Sequence, residues 1–385
     1  MENRGFVLIA DITGYTVYLR ESELEHAQGT LTQLLELLIE HTRPPLVIST
    51  LEGDAVFSYA LDKGFVSGQT FLEGIETTYV AFRRAIELMV LNNSCQCNAC
   101  ANVSALDLKF FVHHGSFAIQ QVGGGAQLMG NEIILIHRLL KNSVTATTGI
   151  RAYLLCTDAA VGALGIEAAQ EMVRHHETVT DLGEVDVWIK DMHPVYESRR
   201  DDDQVTYEGR EVLSTVAAEI PMSRELVWDY LNQTEYRNLL IGSDSFEVRD
   251  RKDGKVGSGS TYICYHGKMI VPQEVIEWRP FERVLVQQRL PFKGRQTYVL
   301  VDFRLTPTDT GTRLTETAAR LTGPIVKRAL ARMFIRSHRR RSQRDLDNFA
   351  DQIQGDLALH DAPRPSALSA DDIATQALAS LEVEG

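Results

Sequence analysis

No apolar run in this chain approaches the length of about 20 residues that a membrane-spanning helix needs. It also has no Gly-rich P-loop, no His-Glu-x-x-His pair and no Ser-His-Asp signature, so three common routes to phosphate, peptide and acyl chemistry have no sequence support. Cysteine is scarce: five residues, an odd number, with three packed into Cys95-Gln96-Cys97-Asn98-Ala99-Cys100. That usage does not describe a disulfide framework in a chain this long and indicates a reduced, cytoplasmic setting. Met1-Glu2-Asn3-Arg4-Gly5 runs straight into an apolar segment, without the n-region, h-region and cleavage site of a secretory signal. Positive charge is in deficit, 39 Lys and Arg against 52 Asp and Glu, for a net charge of −13. This excludes a surface built throughout for nucleic acid and leaves only local basic patches to consider.

What is present suits two domains. The 385 residues exceed one ordinary core, and 44% hydrophobic content is ample for two. The first part, 1–198, reads as mixed α/β. A strand at Phe6 to Ala10 is followed by a helical pattern from Thr16 to about Thr42, stopped by Pro44-Pro45. A helix from Phe71 to about Leu91, a strand from Leu106 to His113, a hairpin at Gly123-Gly124-Gly125 and a helix from Asn131 to Lys141 come next. A strand from Arg151 to Cys156, a helix from Asp158 to Val173 and a strand around Val185 to Ile189 complete it. The polar run Ser198-Arg199-Arg200-Asp201-Asp202-Asp203 opens a linker over 199–210. Residues 211–353 have a different grammar: one strand, short helices, a series of antiparallel strands punctuated by turn residues, then a helix from Pro324 to Ile353. The segment 354–385 has the composition of a disordered tail.

Two acidic residues stand at strand ends. Asp11 closes the apolar run Phe6 to Ala10, and Asp54 follows Leu46-Val47-Ile48 and the turn residue Gly53. Neighbouring strands would bring the two carboxylates together as ligands for a hard divalent cation, Mg²⁺ or Mn²⁺. Alone, either Asp is more simply a turn or capping residue. The Gly14 turn after Asp11 would open a helix with its backbone N–H groups toward an anion.

The segment Ala10-Asp11-Ile12-Thr13-Gly14-Tyr15-Thr16 resembles the metal-binding and phosphate-cradling turn of class III nucleotidyl cyclases. Gly53-Asp54 resembles that family's second metal ligand, and His113-His114-Gly115 its His-x-Gly at a strand end. The run from Gly130 to Leu139 resembles its Gly-Asp-x-Val-Asn-x-x-x-Arg-Leu helix, and the run from Leu182 to Glu197 its closing hairpin. The resemblance covers residues 5 to 197 and implies a ferredoxin-like, cyclase-type α/β sandwich that works as a homodimer. It also implies a nucleotide held at Ile12, Gly14, Tyr15 and Thr16, a metal at Asp11 and Asp54, and Arg138 against the phosphates. The departures are specific. Thr50 stands where the family has a base-reading Lys, Gln127 where it has the acidic partner, and Ile134 where it has an Asn that orients the ribose. Ile134 cannot donate a hydrogen bond. These losses imply binding without the usual cyclisation, in a regulatory or sensor protein. An active cyclase with altered base choice is the alternative.

The second half resembles START-like, or polyketide-cyclase-like, helix-grip domains over 211 to 353. The likeness rests on the strand from Val212 to Ile220, Pro221 before the helix at Glu225, the Gly257-Ser258-Gly259-Ser260 turn and the long final helix. It gives an α+β chain overall and implies an apolar cavity for a hydrophobic small molecule, or an enzyme acting there on a polyketide-like substrate. Trp228, Tyr262 and Trp278 are candidate cavity residues, with His266 and Arg295 as candidate head-group ligands, although most such aromatics are ordinary core. The pairing of the two halves also resembles an uncharacterised bacterial two-domain family.

Two further features have plain and sharp readings. Cys95, Cys97 and Cys100 would hold zinc if a fourth ligand, His113 or His114, joined them; otherwise they form a thiol-rich, redox-active loop. Lys327, Arg328, Arg332, Arg336, Arg339, Arg340, Arg341 and Arg344 make the last helix basic. Membranes and nucleic acid bind such helices. The plainer expectation is a solvated face, with Leu330, Met333 and Phe334 packed inward and no nucleic-acid partner.

Overall fold

The computed structural model describes residues 2–42, 44–92, 97–122, 125–165, 171–180, 182–200, 204–252, 254–292 and 296–359. They form two compact units, divided between 200 and 204.

The first unit begins with β1 (Glu2–Thr13), α1 (Tyr15–Glu21), α2 (Leu24–His41), β2 (Val47–Glu52), β3 (Ala55–Leu61) and α3 (Gly68–Leu91). It continues with α4 (Asn98–Asn102), β4 (Asp107–Val122), β5 (Gly125–Met129), α5 (Asn131–Leu139) and α6 (Val144–Thr148). The last elements are β6 (Tyr153–Thr157), α7 (Asp158–Leu164), β7 (Val173–Val179), β8 (Gly183–Asp191) and α8 (His193–Arg200). The sheet order is β2-β3-β1-β4-β6-β8-β7, with β5 paired to β4. β1, α2, β2, β3, α3 and β4 form a β-α-β-β-α-β unit of order β2-β3-β1-β4, the ferredoxin-like arrangement, with each of its strand pairs antiparallel. β1 is apolar at successive positions because both of its faces are covered. Phe6 stacks on Phe65 and meets Phe71 of α3, while Val7 and Ile9 pack with Ile133 and Ile136 of α5.

Several expected boundaries move. The helix from Thr16 to Thr42 is two helices, parted at Ser22-Glu23. The strand ending at His113 runs on to Val122, so His113-His114-Gly115 lies mid-strand and not at a strand end. The helix from Asp158 stops at Leu164, where Gly165 takes a left-handed φ of 63°, and Val173 begins a strand instead. Ser198 to Arg200 end α8 and do not open a linker.

The second unit contains β9 (Val212–Ile220), α9 (Arg224–Asn232), α10 (Thr234–Ile241), β10 (Ser245–Arg249), β11 (Thr261–His266) and β12 (Met269–Arg279). After them come β13 (Arg283–Arg289), β14 (Tyr298–Thr308), β15 (Gly311–Thr322) and α11 (Ile325–Leu359). Seven antiparallel strands run in the order β10-β11-β12-β13-β14-β15-β9, and α11 packs along β9, β15 and α10. Leu346, Phe349 and Ile353 of α11 meet Trp228, Phe303 and Leu314 in one core. The opposite face of the sheet carries Arg283, which binds Asp302 at 2.9 and 2.8 Å and Glu277 at 2.8 Å. Alternation along β14 puts Asp302 on that side, between core-facing Val301 and Phe303.

In α11, Leu330, Met333 and Phe334 are 49%, 67% and 53% exposed, so they do not pack inward as expected. Ala331 faces the core in that stretch, and the larger core-facing side chains, Leu346, Phe349 and Ile353, lie further along the helix on one face. The helix also runs through Gly355 to Leu359, and the rest of the expected tail lies outside the described residues. Among the described residues, no helix is long and apolar enough to cross a membrane.

Candidate functional site

β1 and β3 are antiparallel neighbours, with Asp11 opposite Ala55. The Ile12 N–H donates to the Asp54 carbonyl at 3.1 Å. The two acidic residues therefore leave adjacent strands at the same end of the sheet. Gly14 has φ of 90°, and a side chain there would put its Cβ 3.3 Å from the Ala105 carbonyl oxygen. Glycine is required on both counts, and the turn delivers Tyr15 and Thr16 to the start of α1. Burial raises the pKa of Asp11, and the Lys109 ammonium on β4 opposes it. Lys109, itself held below its ordinary value by burial, lies 5.1 Å from the centre of the Tyr153 ring. A half-buried carboxyl whose charge is penalised by burial gains from nearby positive charge, which Lys109 supplies in part and a bound cation would add to. Arg138 is exposed near the end of α5.

The positions that depart from the cyclase pattern lie on three elements. Thr50 lies on β2, Gln127 is exposed on β5, which neighbours β2, and Ile134 is 52% exposed on α5. None of these three side chains carries charge. The adjacent pair Glu52 and His137 meets at 3.3 Å, and burial raises the Glu52 pKa against the pull of His137.

His113 and His114 have structural partners and, among the described residues, do not join Cys97 and Cys100. His113 bridges Glu132 at 2.6 Å and Thr157 at 2.8 Å, tying β4 to α5 and β6. Burial pushes its imidazole below the ordinary value, with Glu132 pulling the other way. A Cβ on Gly115 would come within 2.7 Å of the Glu132 side chain, so the missing side chain of that glycine leaves room for this bond. His114 meets Asp62 at 2.8 Å.

The residue that does reach the cysteines is His26 of α2. Its Nδ1 lies 3.1 Å from Cys97 Sγ, and the ligand atoms of His26, Cys97 and Cys100 all lie within 4.8 Å of one another. Cys95 lies outside the described residues. Nothing in the spacing of an amphipathic helix marks His26; the contact spans 71 positions and exists only in the fold.

In the second unit, Arg237 of α10 is 1% exposed. Its guanidinium carbon lies 4.6 Å from the centre of the Phe303 ring and 4.9 Å from that of Tyr262. Nη1 donates to the Leu231 carbonyl at 3.4 Å, whereas Nε and Nη2 have no hydrogen-bond partner. Nearby, burial pushes Glu316 up to about 7 against the pull of Arg237, and Cys264 up to about 11. Of the expected head-group ligands, His266 lies 3.1 Å from the Gly242 carbonyl and Arg295 lies outside the described residues.

Residues 31–148 match a family described as protein of unknown function (DUF2652). The uncharacterized protein Rv2561/Rv2562 of Mycobacterium tuberculosis (strain ATCC 25618 / H37Rv) is 32% identical over 128 residues, 33% of this chain and 57% of the relative. The chain thus spans little more than half the length of the curated relative it matches. Among solved structures, the guanylyl cyclase Cya2 is similar at a TM-score of 0.36 and 12% identity, over 49% of this chain and 92% of its own. A bacterial light-regulated adenylyl cyclase is similar at 0.37 and 10%, over 52% and 98%. Protein MLL2253 from Mesorhizobium loti is similar at 0.29 and 18%, over 37% of this chain and 96% of its own.

Proposed function

We propose that this is a regulatory or sensor protein whose first unit binds Mg²⁺ or Mn²⁺ together with the phosphates of a nucleotide. The observation that carries this reading is the common exit of Asp11 and Asp54 from antiparallel β1 and β3, beside the Gly14 turn. Two carboxylates and phosphate oxygens are the ligand set that a hard divalent cation takes. Such a cation supplies Lewis-acid charge at phosphate; Asp11 and Asp54 hold it, and Arg138 contacts the phosphates. Binding rather than cyclisation follows from the uncharged Thr50, Gln127 and Ile134, since phosphoryl chemistry draws its rate from preorganised polar groups. A homodimer belongs to the same reading, supported by Ile134 and Met129, each 52% exposed. The test is calorimetric titration of the full chain with each nucleoside triphosphate and Mn²⁺. Asp11→Ala should weaken binding by at least about tenfold, or 1.4 kcal/mol. Equal heats in the two proteins remove the proposal. Retention of Asp11, Asp54 and Arg138 favours a second reading, an active cyclase of altered base choice. Mass spectrometry of the reaction mixture decides between them: a cyclic nucleotide whose formation stops in Asp54→Ala establishes catalysis.

The second unit holds an amphipathic small molecule in this reading, in a START-like manner. Arg237 supports it, because two unpartnered N–H groups in an apolar interior cost free energy that an acceptor on a ligand would recover. Organic extracts of the purified chain should contain an acidic or carbonyl-bearing apolar compound, depleted severalfold in Arg237→Met. An extract identical for both proteins, or empty, counts against it. Action on that compound as a polyketide-cyclase-type enzyme is the further alternative.

A further inference from the structure

His26, Cys97 and Cys100 play no part in the nucleotide site, yet three soft or borderline donors converge there from two separate elements. We propose that they form a zinc site, with Cys97 Sγ, Cys100 Sγ and the His26 imidazole as ligands, that fixes α1, α2 and α4 to one another. Cys95 lies outside the described residues and forms no part of the assignment; with three protein donors, the fourth tetrahedral position would take a water.

Geometry and chemistry agree. In tetrahedral zinc, bonds of about 2.3 Å to sulfur and 2.0 Å to nitrogen separate S from N by about 3.5 Å and S from S by about 3.8 Å. The 3.1 Å approach of His26 Nδ1 to Cys97 Sγ lies a few tenths inside that spacing, and the other separations fall under 4.8 Å. Neither Cys97 nor Cys100 is joined in a disulfide. On binding, each thiol releases its proton to solvent and the imidazole coordinates through a neutral nitrogen. Two thiolates and an imidazole select a thiophilic ion over Mg²⁺ or Ca²⁺.

The surrounding bonds hold the donors in place. Cys97 Sγ accepts the Cys100 N–H at 3.4 Å, which draws the Cys97–Cys100 turn around the first sulfur. Glu23, which precedes α2, accepts the Ala99 N–H at 3.1 Å. It thereby positions the turn three residues from His26 without being a ligand itself. α4 packs against both α1 and α2. Tyr18 of α1 is 3% exposed, so this helix is packed and not splayed into solvent. Because Gly14 abuts Ala105, just beyond α4, an ion here also anchors the turn that presents Tyr15 and Thr16.

A Cys97–His26 nucleophile pair is the competing account of the 3.1 Å contact. It assigns no role to Cys100, whereas a metal uses all three donors.

The full chain is stripped with a chelator, titrated with zinc sulfate in competition with a chromogenic chelator, and titrated in parallel with cobalt(II). The expected result is one ion per chain, with thiolate-to-cobalt charge-transfer bands. Changes to residues that only support a ligand cost about 10–100-fold in affinity, so His26→Ala should lose about 100-fold or more and Glu23→Gln about 10-fold. His26 is exposed, so its circular dichroism spectrum should match wild type. Zinc should also protect Cys97 and Cys100 from iodoacetamide, and His26→Ala should lift that protection. Failure of the chain to take up zinc or cobalt, or wild-type affinity and spectrum in His26→Ala, overturns the assignment. So does metal-independent alkylation confined to Cys97, the mark of a nucleophile. These readouts involve no nucleotide and stand or fall separately from the Asp11 and Asp54 site.

Discussion

Asp302 accepts hydrogen bonds from three residues on its side of the second sheet. Two come from Arg283, one from Arg304 at 2.9 Å and one from the Tyr207 hydroxyl at 2.9 Å. Arg283 is 4% exposed and reaches on to Glu277 and to the Val205 carbonyl at 2.9 Å, so the network pins the segment ahead of β9 to the sheet. Removing one member of a buried ion pair costs about 3–5 kcal/mol, because the charge left behind has lost its compensation. Asp302→Ala should lower unfolding stability by that amount in urea titrations, while Asp186→Ala, which removes the partner of solvent-exposed Arg174, should leave it close to wild type. Single residues were the least legible level of this sequence. Arg237 occurs in Thr234-Glu235-Tyr236-Arg237-Asn238, a run with the polarity of a solvated helix turn, yet it is among the most buried large side chains. Its burial follows from how α10 packs on α11 and β10, which no local pattern encodes.

Elements were legible where one force dominated. The continuous apolar run of β1 could only be a doubly covered strand, and the turn after Asp11 required Gly14. The missed boundaries were contests between local signals. Leu31, Leu34, Leu35 and Leu38 carry α2's buried stripe, but the Thr16 to Thr42 pattern hides the break at Ser22, whose neighbours remain helix-compatible. The expected helix from Asp158 to Val173 leaves β7 unassigned beyond its first residue, because Val173-Arg174-His175-His176 has no decisive period; pairing with β8 makes it a strand. The turn at Gly14 gives an element-scale test. Gly14→Ala forces an L residue to φ of 90° against the Ala105 carbonyl, at about 1–2 kcal/mol or more. Thermal unfolding should show that loss, whereas Gly29→Ala, in a helix with open space around it, should be neutral or stabilising.

At the scale of the molecule, the first half's β-α-β-β-α-β order and the second half's strand series were both readable from element succession. The approach of Asp11 and Asp54 along the chain path was readable too, because strand adjacency in that order brings those ends of β1 and β3 together. The His26 contact was not, since it depends on where α2 and α4 come to rest. The two sheets also differ in when they can be completed during synthesis. β1 is an interior strand of its sheet and finds β3 soon after it in the chain. β9 instead pairs with β15, across roughly a hundred residues, and such distant pairing delays folding. Until β15 leaves the ribosome, the backbone edge of β9 has no sheet to join. The final ordering of the second unit, including the interior around Arg237, therefore waits on its last strand, and a ligand that enters that interior can do so only after translation of β15.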